Sequence, residues 1–263
     1  MADHCASARR FFLPALPPEA GKTVALPPAE AHHAAGVLRL GAGAAVELFD
    51  GRGGLARGAI DQVRRGEVSV MVSQLLPPRP RPSPLIHLGF AQPKGNRLAW
   101  LLEKAAELGA ASLRPVRFAR SVAGRDERGP SGRERWMGHC IAAAKQCGLD
   151  YLPEIVAAMS LPDFLAARRE RLRILGDPGG SAMPPKHALA NWREGEDICL
   201  LIGPEGGLTD GERAEALAAG FIAARLGTTT LRVETAAIAL LAATIALCEA
   251  TRLPHEDSAV VRA

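Results

Sequence analysis

Hydrophobic positions before residue 77 recur in short runs of strand length, at 10–13, 22–26, 45–49, 55–61 and 68–75. In the last run Val68, Val70 and Val72 alternate with Ser69, Met71 and Ser73, the period of a sheet that buries one face more than the other. Asp50-Gly51 and Gly53-Gly54 supply turn chemistry, and 28–40 reads as one helix. These elements predict a small barrel-like domain over 1–76. The proline-rich stretch 77–84 offers too few backbone donors for a helix or a central strand and predicts an extended linker. Beyond it, strand and helix patterns alternate. A strand at 85–91 precedes a helix at 97–108 that stops at Gly109, then a strand at 112–118 and a helix at 133–147 with Ser131 and Glu134 as a capping box. A short strand near Ile155, a helix after Ser160 and strands at 172–176 and 198–202 follow. Thr209 and Glu212 have capping-box spacing for a helix ending at Gly220, and a short strand at 221–226 leads to a long apolar helix at 233–250. Such alternation predicts an α/β domain over 85–251, a parallel sheet with helices on both faces, and leaves a tail at 252–263.

Composition adds limits. A chain of 263 residues, 48% hydrophobic, has material for two cores. The net charge of +4 is unevenly spread: 94–145 holds eleven Lys/Arg against five Asp/Glu, whereas 196–251 holds three against eight. A basic middle suits a polyanion such as RNA, and equally a solvated helix face. The cysteines at 5, 140, 147, 199 and 248 form no C-x-x-C pair, and no histidine stands at zinc-finger spacing, so neither a metal site nor a disulfide framework is expected. Cys140 and Cys147 share one helix face, where small apolar packing is expected. Residues 1–10 lack the apolar core of a signal peptide, and the longest apolar stretch, 236–248, is shorter than the roughly 20 residues that span a bilayer. The expectation is a soluble cytoplasmic protein.

Chemistry concentrates near the C-terminus. The buried-strand pattern Ile198-Cys199-Leu200-Leu201-Ile202 runs into Gly203-Pro204-Glu205-Gly206-Gly207-Leu208, and a second junction reads Leu226-Gly227, then Leu231-Arg232-Val233-Glu234-Thr235-Ala236. Glycines let a backbone approach a ligand closely, and both loops should open at one end of the sheet. The first loop lacks the Lys-Ser/Thr of a phosphate-binding P-loop and the spacing of a dinucleotide fingerprint. Taken singly, either loop reads equally as a structural turn. As a pair they read as a small-molecule site, with Leu175-Gly176 at the end of the preceding strand completing the wall.

The segments LIGPEGGLTDGE and LGTTTLRVETAAIAL resemble the C-terminal signature of the RsmE family, the bacterial small-subunit ribosomal RNA uridine methyltransferases of the SPOUT superfamily. The likeness extends to HAAGVLRLGAGAAVELFDG at 33–51, to Lys94 with EKAAELG at 103–109, and to Gln146-Cys147-Gly148 with Pro153-Glu154-Ile155. The resemblance implies a PUA-like RNA-binding β-barrel domain followed by a SPOUT domain with a C-terminal trefoil knot. It also implies a homodimer, S-adenosyl-L-methionine as cofactor, and ring nitrogen 3 of one uridine in 16S ribosomal RNA as methyl acceptor. On this reading Leu175, Gly176, Ile202, Gly203, Pro204, Glu205, Gly206, Gly207, Leu226, Gly227, Leu231, Arg232, Thr235 and Ala236 surround the cofactor.

Methyl transfer needs the donor in line with the nucleophile, and uracil nitrogen 3 carries a proton, so a base or a stabilising cation is expected. Arg232 is the candidate for the electrostatic role, with Glu205 or Glu234 orienting it; loop scaffolding is the competing reading of all three. Arg10, Arg39, Lys94, Lys104, Arg120 and Gln146 are the candidate RNA contacts. One stretch departs from the family pattern. Relatives tend to carry an acidic residue before the glutamine and an arginine shortly after it, where this chain reads Lys145-Gln146-Cys147-Gly148-Leu149. A grip on RNA by that arginine would have to pass to Arg117 or Arg120. Two rivals stay open, a SPOUT enzyme acting on a ribose hydroxyl or another base, and a catalytically silent RNA-binding protein.

Overall fold

The computed structural model describes residues 9–121, 130–179 and 181–252. Cys5, the side chain of Ser131 in the expected capping box, and the tail from residue 253 onward lie outside the described residues. The chain forms two units, Met1–Arg81 with Ile141–Leu152, and Pro82–Cys140 with Pro153–Ala263.

The first unit contains β1 (Arg9–Phe12), β2 (Thr23–Ala25), α1 (Pro28–His32), β3 (Ala45–Phe49), β4 (Leu55–Arg64) and β5 (Glu67–Leu76). They build a mixed sheet in the order β1-β3-β4-β5-β2, in which β1 runs parallel to β3 and the other neighbours are antiparallel. Arg65 and Gly66, at φ 49° and 87°, make the tight β4–β5 turn, because two positive φ values match the twist of a hairpin. The alternation expected in β5 is present: Val68, Val70 and Val72 are buried with Phe11, Leu48 and Ile60, while Met71 and Ser73 face outward. The single helix expected over 28–40 is replaced by α1 and a π-helical turn, His33–Val37. Leu38 N–H donates to the His33 carbonyl and Leu40 N–H to that of Ala34, and Arg39 at φ 52° ends the turn.

The segment Ile141–Leu152 belongs to this unit through backbone pairing and charge. Leu152 N–H donates to the Gly51 carbonyl at 2.9 Å, and Gly53 N–H to that of Asp150 at 3.0 Å. Glycine is needed at 53, at φ 94°, because a Cβ there would collide with the Tyr151 ring. Arg10, its side chain 11% exposed, reaches Asp150 at 2.5 Å and Glu47 at 3.0 Å, donates to the Leu149 carbonyl and stacks over Phe49. Lys145 lies 3.0 Å from both oxygens of Glu30.

The second unit is α/β. Its elements are β6 (Ile86–Ala91), α2 (Asn96–Glu107), β7 (Ser112–Arg117), α3 (Pro130–Cys147, whose last turns belong to the first unit), β8 (Glu154–Ile155), β9 (Met159–Ser160), α4 (Leu161–Ala167), β10 (Leu172–Gly176), α5 (Pro185–Ala188), β11 (Ile198–Ile202), α6 (Asp210–Ala218), β12 (Ile222–Ala224) and α7 (Val233–Arg252). The sheet is parallel in the order β12-β10-β11-β6-β7-β8, with β9 also on β7. All five residues of β11 are buried, as expected of a central parallel strand. β9 and α5 are additions to the expected elements, and β12 stops short of the expected 226 because Arg225 and Leu226 turn away to line a cavity. At 20 residues and mean hydropathy 1.7, α7 is long and apolar enough to cross a membrane, which the apolar stretch 236–248 understates. It packs on α2, β6, β10 and β11 as a core helix.

Candidate functional site

Strand register brings the two C-terminal loops together. β10 lies between β11 and β12, and its last residue, Gly176, is in register with Ile202 on one side and Ala224 on the other. The three strands finish at the same end of the sheet, side by side, as the sequence predicts. Between them lies a cavity of about 330 Å³. Of the expected wall, Gly176, Ile202, Gly203, Pro204, Glu205, Gly207, Leu226, Leu231 and Ala236 line it. Leu175 does not, being fully buried in the sheet, and Gly206, Gly227, Arg232 and Thr235 lie off its wall.

Local chemistry shapes the first loop. A Cβ on Gly203 would collide with Leu208, and Gly207 adopts φ 70° while its N–H donates to the Pro204 carbonyl at 2.8 Å. The loop ends in the expected capping box: Glu212 N–H donates to Thr209 Oγ1 at 3.2 Å, and Thr209 N–H to Glu212 Oε2 at 2.8 Å. Glu212 also accepts from Ala119 N–H at 2.6 Å, and Arg120 donates to the carbonyls of Gly206 at 3.1 Å and Leu208 at 3.4 Å. Residues 119–120, just after β7, therefore brace the glycine loop. Burial acts to raise the Glu212 pKa, but the donors at Thr209 and Ala119 outweigh it and hold the carboxyl below its ordinary value.

The charged groups differ from expectation. Arg232, expected to pair with Glu205 or Glu234, instead lines an adjacent depression together with Arg97, Glu205, Thr230 and Leu231. The guanidinium that engages the two acids is that of Arg97, ion-paired to Glu205 and 3.9 Å from Glu234. Glu234 is buried in the first turn of α7, and its Oε2 has no hydrogen-bond partner. Also on the cavity wall, Asp177 accepts from Gly179 N–H at 2.9 Å and pairs with Arg213 at 2.9 Å. Sequence reading passes over Arg97, Asp177 and Arg213. The available signals are the Asp-Pro-Gly run at 177–179 after β10 and Arg213 four residues beyond the Thr209 cap.

The RNA-contact candidates divide between the units. In the first, Arg39 and Gln146 are exposed, whereas the Arg10 guanidinium is taken by internal partners and is unsuited to contact RNA. In the second, Lys94 is exposed, Lys104 pairs with Glu107 at 2.7 Å, and Arg120 holds the glycine loop. Arg117 donates to the Ala158 carbonyl. Among the described residues no group of three His, Cys, Asp or Glu is placed to hold a metal ion. Cys140 packs as expected, its thiol pushed up to about 12 by burial and secondarily by Glu103, but Cys147 is exposed at the end of α3.

Comparison with known proteins agrees with this architecture. The sequence profile described as an RNA methyltransferase domain matches residues 80–245, and an RNA methyltransferase PUA domain profile matches 26–70. Ribosomal RNA small subunit methyltransferase E of Mycobacterium tuberculosis is 32% identical over 243 residues, 89% of each chain. The Bacillus subtilis protein of that name is 26% identical, covering 86% of this chain and 90% of its own. A Legionella pneumophila protein solved with bound SAM superposes with a TM-score of 0.81 at 31% identity, over 92% of this chain and 98% of the other. The Neisseria gonorrhoeae ribosomal RNA small subunit methyltransferase E bound to S-adenosylmethionine gives 0.80 at 26%, with the same coverage. The first unit is thus PUA-like and the second SPOUT-type, and the chain belongs to the ribosomal RNA small subunit methyltransferase E family.

Proposed function

We propose that this protein is an S-adenosylmethionine-dependent methyltransferase that methylates ring nitrogen 3 of a specific uridine in 16S ribosomal RNA, within ribosomal RNA processing and ribosome biogenesis. The observation that carries the reading is the cavity between the in-register ends of β10, β11 and β12. Its volume falls in the range of small-molecule sites, and the absence of a Cβ at Gly176 and Gly203 makes room for the side chains of Ile202 and Leu208 that line it. The residues that would hold the cofactor are those of the glycine loop, Leu226 and Leu231, with Ala236 and Ile202 as apolar walls. When bound, S-adenosylmethionine supplies a methyl group on a positively charged sulfur. Arg232 stabilises charge developing on the acceptor, and Glu205 and Glu234 organise the guanidinium side of the site.

The PUA-like unit binds RNA, with Arg39 and Gln146 exposed on it, and Lys94 and Lys104 contribute from the second unit. The domain scheme is 1–76, linker 77–84, 85–251 and tail 252–263. The C-terminal loops form a trefoil knot, the protein is a cytoplasmic homodimer, and the exposed small apolar face of α7 supports dimerisation. Calorimetry tests the cofactor: S-adenosylmethionine should bind at one site per chain, and a silent RNA-binding protein would give no heat. Mass mapping of 16S RNA from a gene deletion tests the acceptor. One uridine should lose 14 mass units, roughly the CH₂ that a methyl adds, on the base; loss on a ribose would favour the rival SPOUT activity.

A further inference from the structure

Glu205, Thr230 and Leu231 line both the cavity and the depression beside it, so the two spaces share a wall. Direct methyl transfer requires donor carbon and acceptor nitrogen to approach within about 3–3.5 Å, so an acceptor must occupy a space that abuts the donor cavity. The depression has that position. It also carries two guanidinium groups, Arg97 and Arg232, beside the Glu205 carboxylate and the apolar Leu231. A flat imide base that loses a proton as it reacts is matched by such a lining: an apolar surface for the ring, cations for the charge that develops, and a carboxylate for the proton.

Arg97 stands at the centre of this arrangement. It is ion-paired to Glu205 and lies 3.9 Å from Glu234. Among the described residues it is the cation within ion-pair reach of Glu234, whose side chain is only 8% exposed and whose Oε2 is unpartnered. A partly exposed ion pair such as Arg97–Glu205 adds little to stability, too little to account for one guanidinium bridging a loop acid and a buried helix acid. Positional control of Glu205 accounts for it.

We propose that the depression lined by Arg97, Glu205, Thr230, Leu231 and Arg232 receives the acceptor base, and that Arg97 is a positioning residue that fixes the Glu205 carboxylate on the wall between donor and acceptor, with Glu234 as its buried anchor. This rests on the methyltransferase reading above. In the reaction the acceptor nitrogen forms its bond to the methyl carbon as the sulfur–carbon bond breaks, the electron pair stays on sulfur, and the nitrogen's proton passes to Glu205 and on to water.

The test compares wild type with Arg97→Ala, Arg97→Lys and Glu205→Gln, using calorimetry with S-adenosylmethionine and steady-state methylation of small subunits from a deletion strain. Arg97→Ala should lower kcat by at least about tenfold while the S-adenosylmethionine Kd stays within about threefold, Glu205→Gln should lower kcat at least as far, and Arg97→Lys should recover part of kcat. A loss of cofactor affinity parallel to the loss of kcat in Arg97→Ala would overturn the proposal by making Arg97 a brace of the donor loop. Equal kcat in Arg97→Ala and wild type would overturn it as well. A wild type that binds S-adenosylmethionine but methylates no base is a different failure, which removes the proposed function and this inference with it.

Discussion

The Lys145 ammonium lies 3.0 Å from both carboxylate oxygens of Glu30 and 5.5 Å from the centroid of the Phe11 ring, and Glu30 also accepts from Phe12 N–H at 3.1 Å. The lysine that departs from the family pattern therefore closes a largely buried ion pair inside the first unit. Removing one member of such a pair leaves the other charge without compensation, at a cost of about 3 kcal/mol. Glu30→Ala should lower the denaturation midpoint accordingly, and Glu30→Ala with Lys145→Ala should cost less than the two single changes added, a coupling that a double-mutant cycle in urea measures. Legibility at this scale follows distance along the chain. The glycines of the first loop are readable because what they do is local backbone geometry. Arg97 is not readable as the partner of Glu205, since the two stand 108 residues apart and only the packing of α2 beside the loop joins them. Arg10 looks like a free basic residue in sequence and is an internal clamp in the fold, for the same reason.

The elements that sequence describes best carry their own termini. The helix after Thr209 is an example, because both capping-box partners lie within four residues and the reciprocal hydrogen bonds form locally. Thr209→Ala should cost about 1 kcal/mol and loosen the end of the glycine loop, visible as faster amide exchange at 206–209. Glu212 ties this cap to pH. Its folded pKa lies below its ordinary value, so the ionised form stabilises the fold fully above that value, and the contribution is lost as pH falls through the lowered one. Over that acid range Glu212→Gln should lose less stability than the parent, and equal losses would show that the carboxylate contributes nothing to the cap. The stretch 28–40 is misread because its apolar spacing suits a helix, whereas the π-helical turn and the positive φ of Arg39 answer to packing over the sheet.

Across the whole molecule, the two-unit division crosses the sequence order, with Ile141–Leu152 joining the first unit although it follows most of α3. Gly51, Gly53, Asp150 and Arg10 make that assignment through contacts about 100 to 140 residues apart in sequence. α7 poses the other question of this scale. Its inner stripe of Val233, Ala237, Leu240, Leu241, Thr244 and Cys248 is buried, while Ala246 and Ala250 on the outer face are exposed. An apolar outer face is what a second copy would cover. Sedimentation should give twice the 27.7 kDa chain mass, and Ala246→Glu should shift it toward one chain without unfolding the protein, because Ala246 is already exposed in the single chain.

The sequence by itself determined the strand and helix alternation, the buried character of β11, the glycine loop and its cap, since each depends on interactions within a few residues. The tertiary structure alone decided that Gly176 lies between Ile202 and Ala224, that Arg97 takes the place expected of Arg232 beside the two acids, and that Asp177 and Arg213 pair on the wall of the same cavity as the glycine loop. Strand order and register set these neighbours, and both are fixed by burial summed over the whole sheet, a quantity no local window of residues contains.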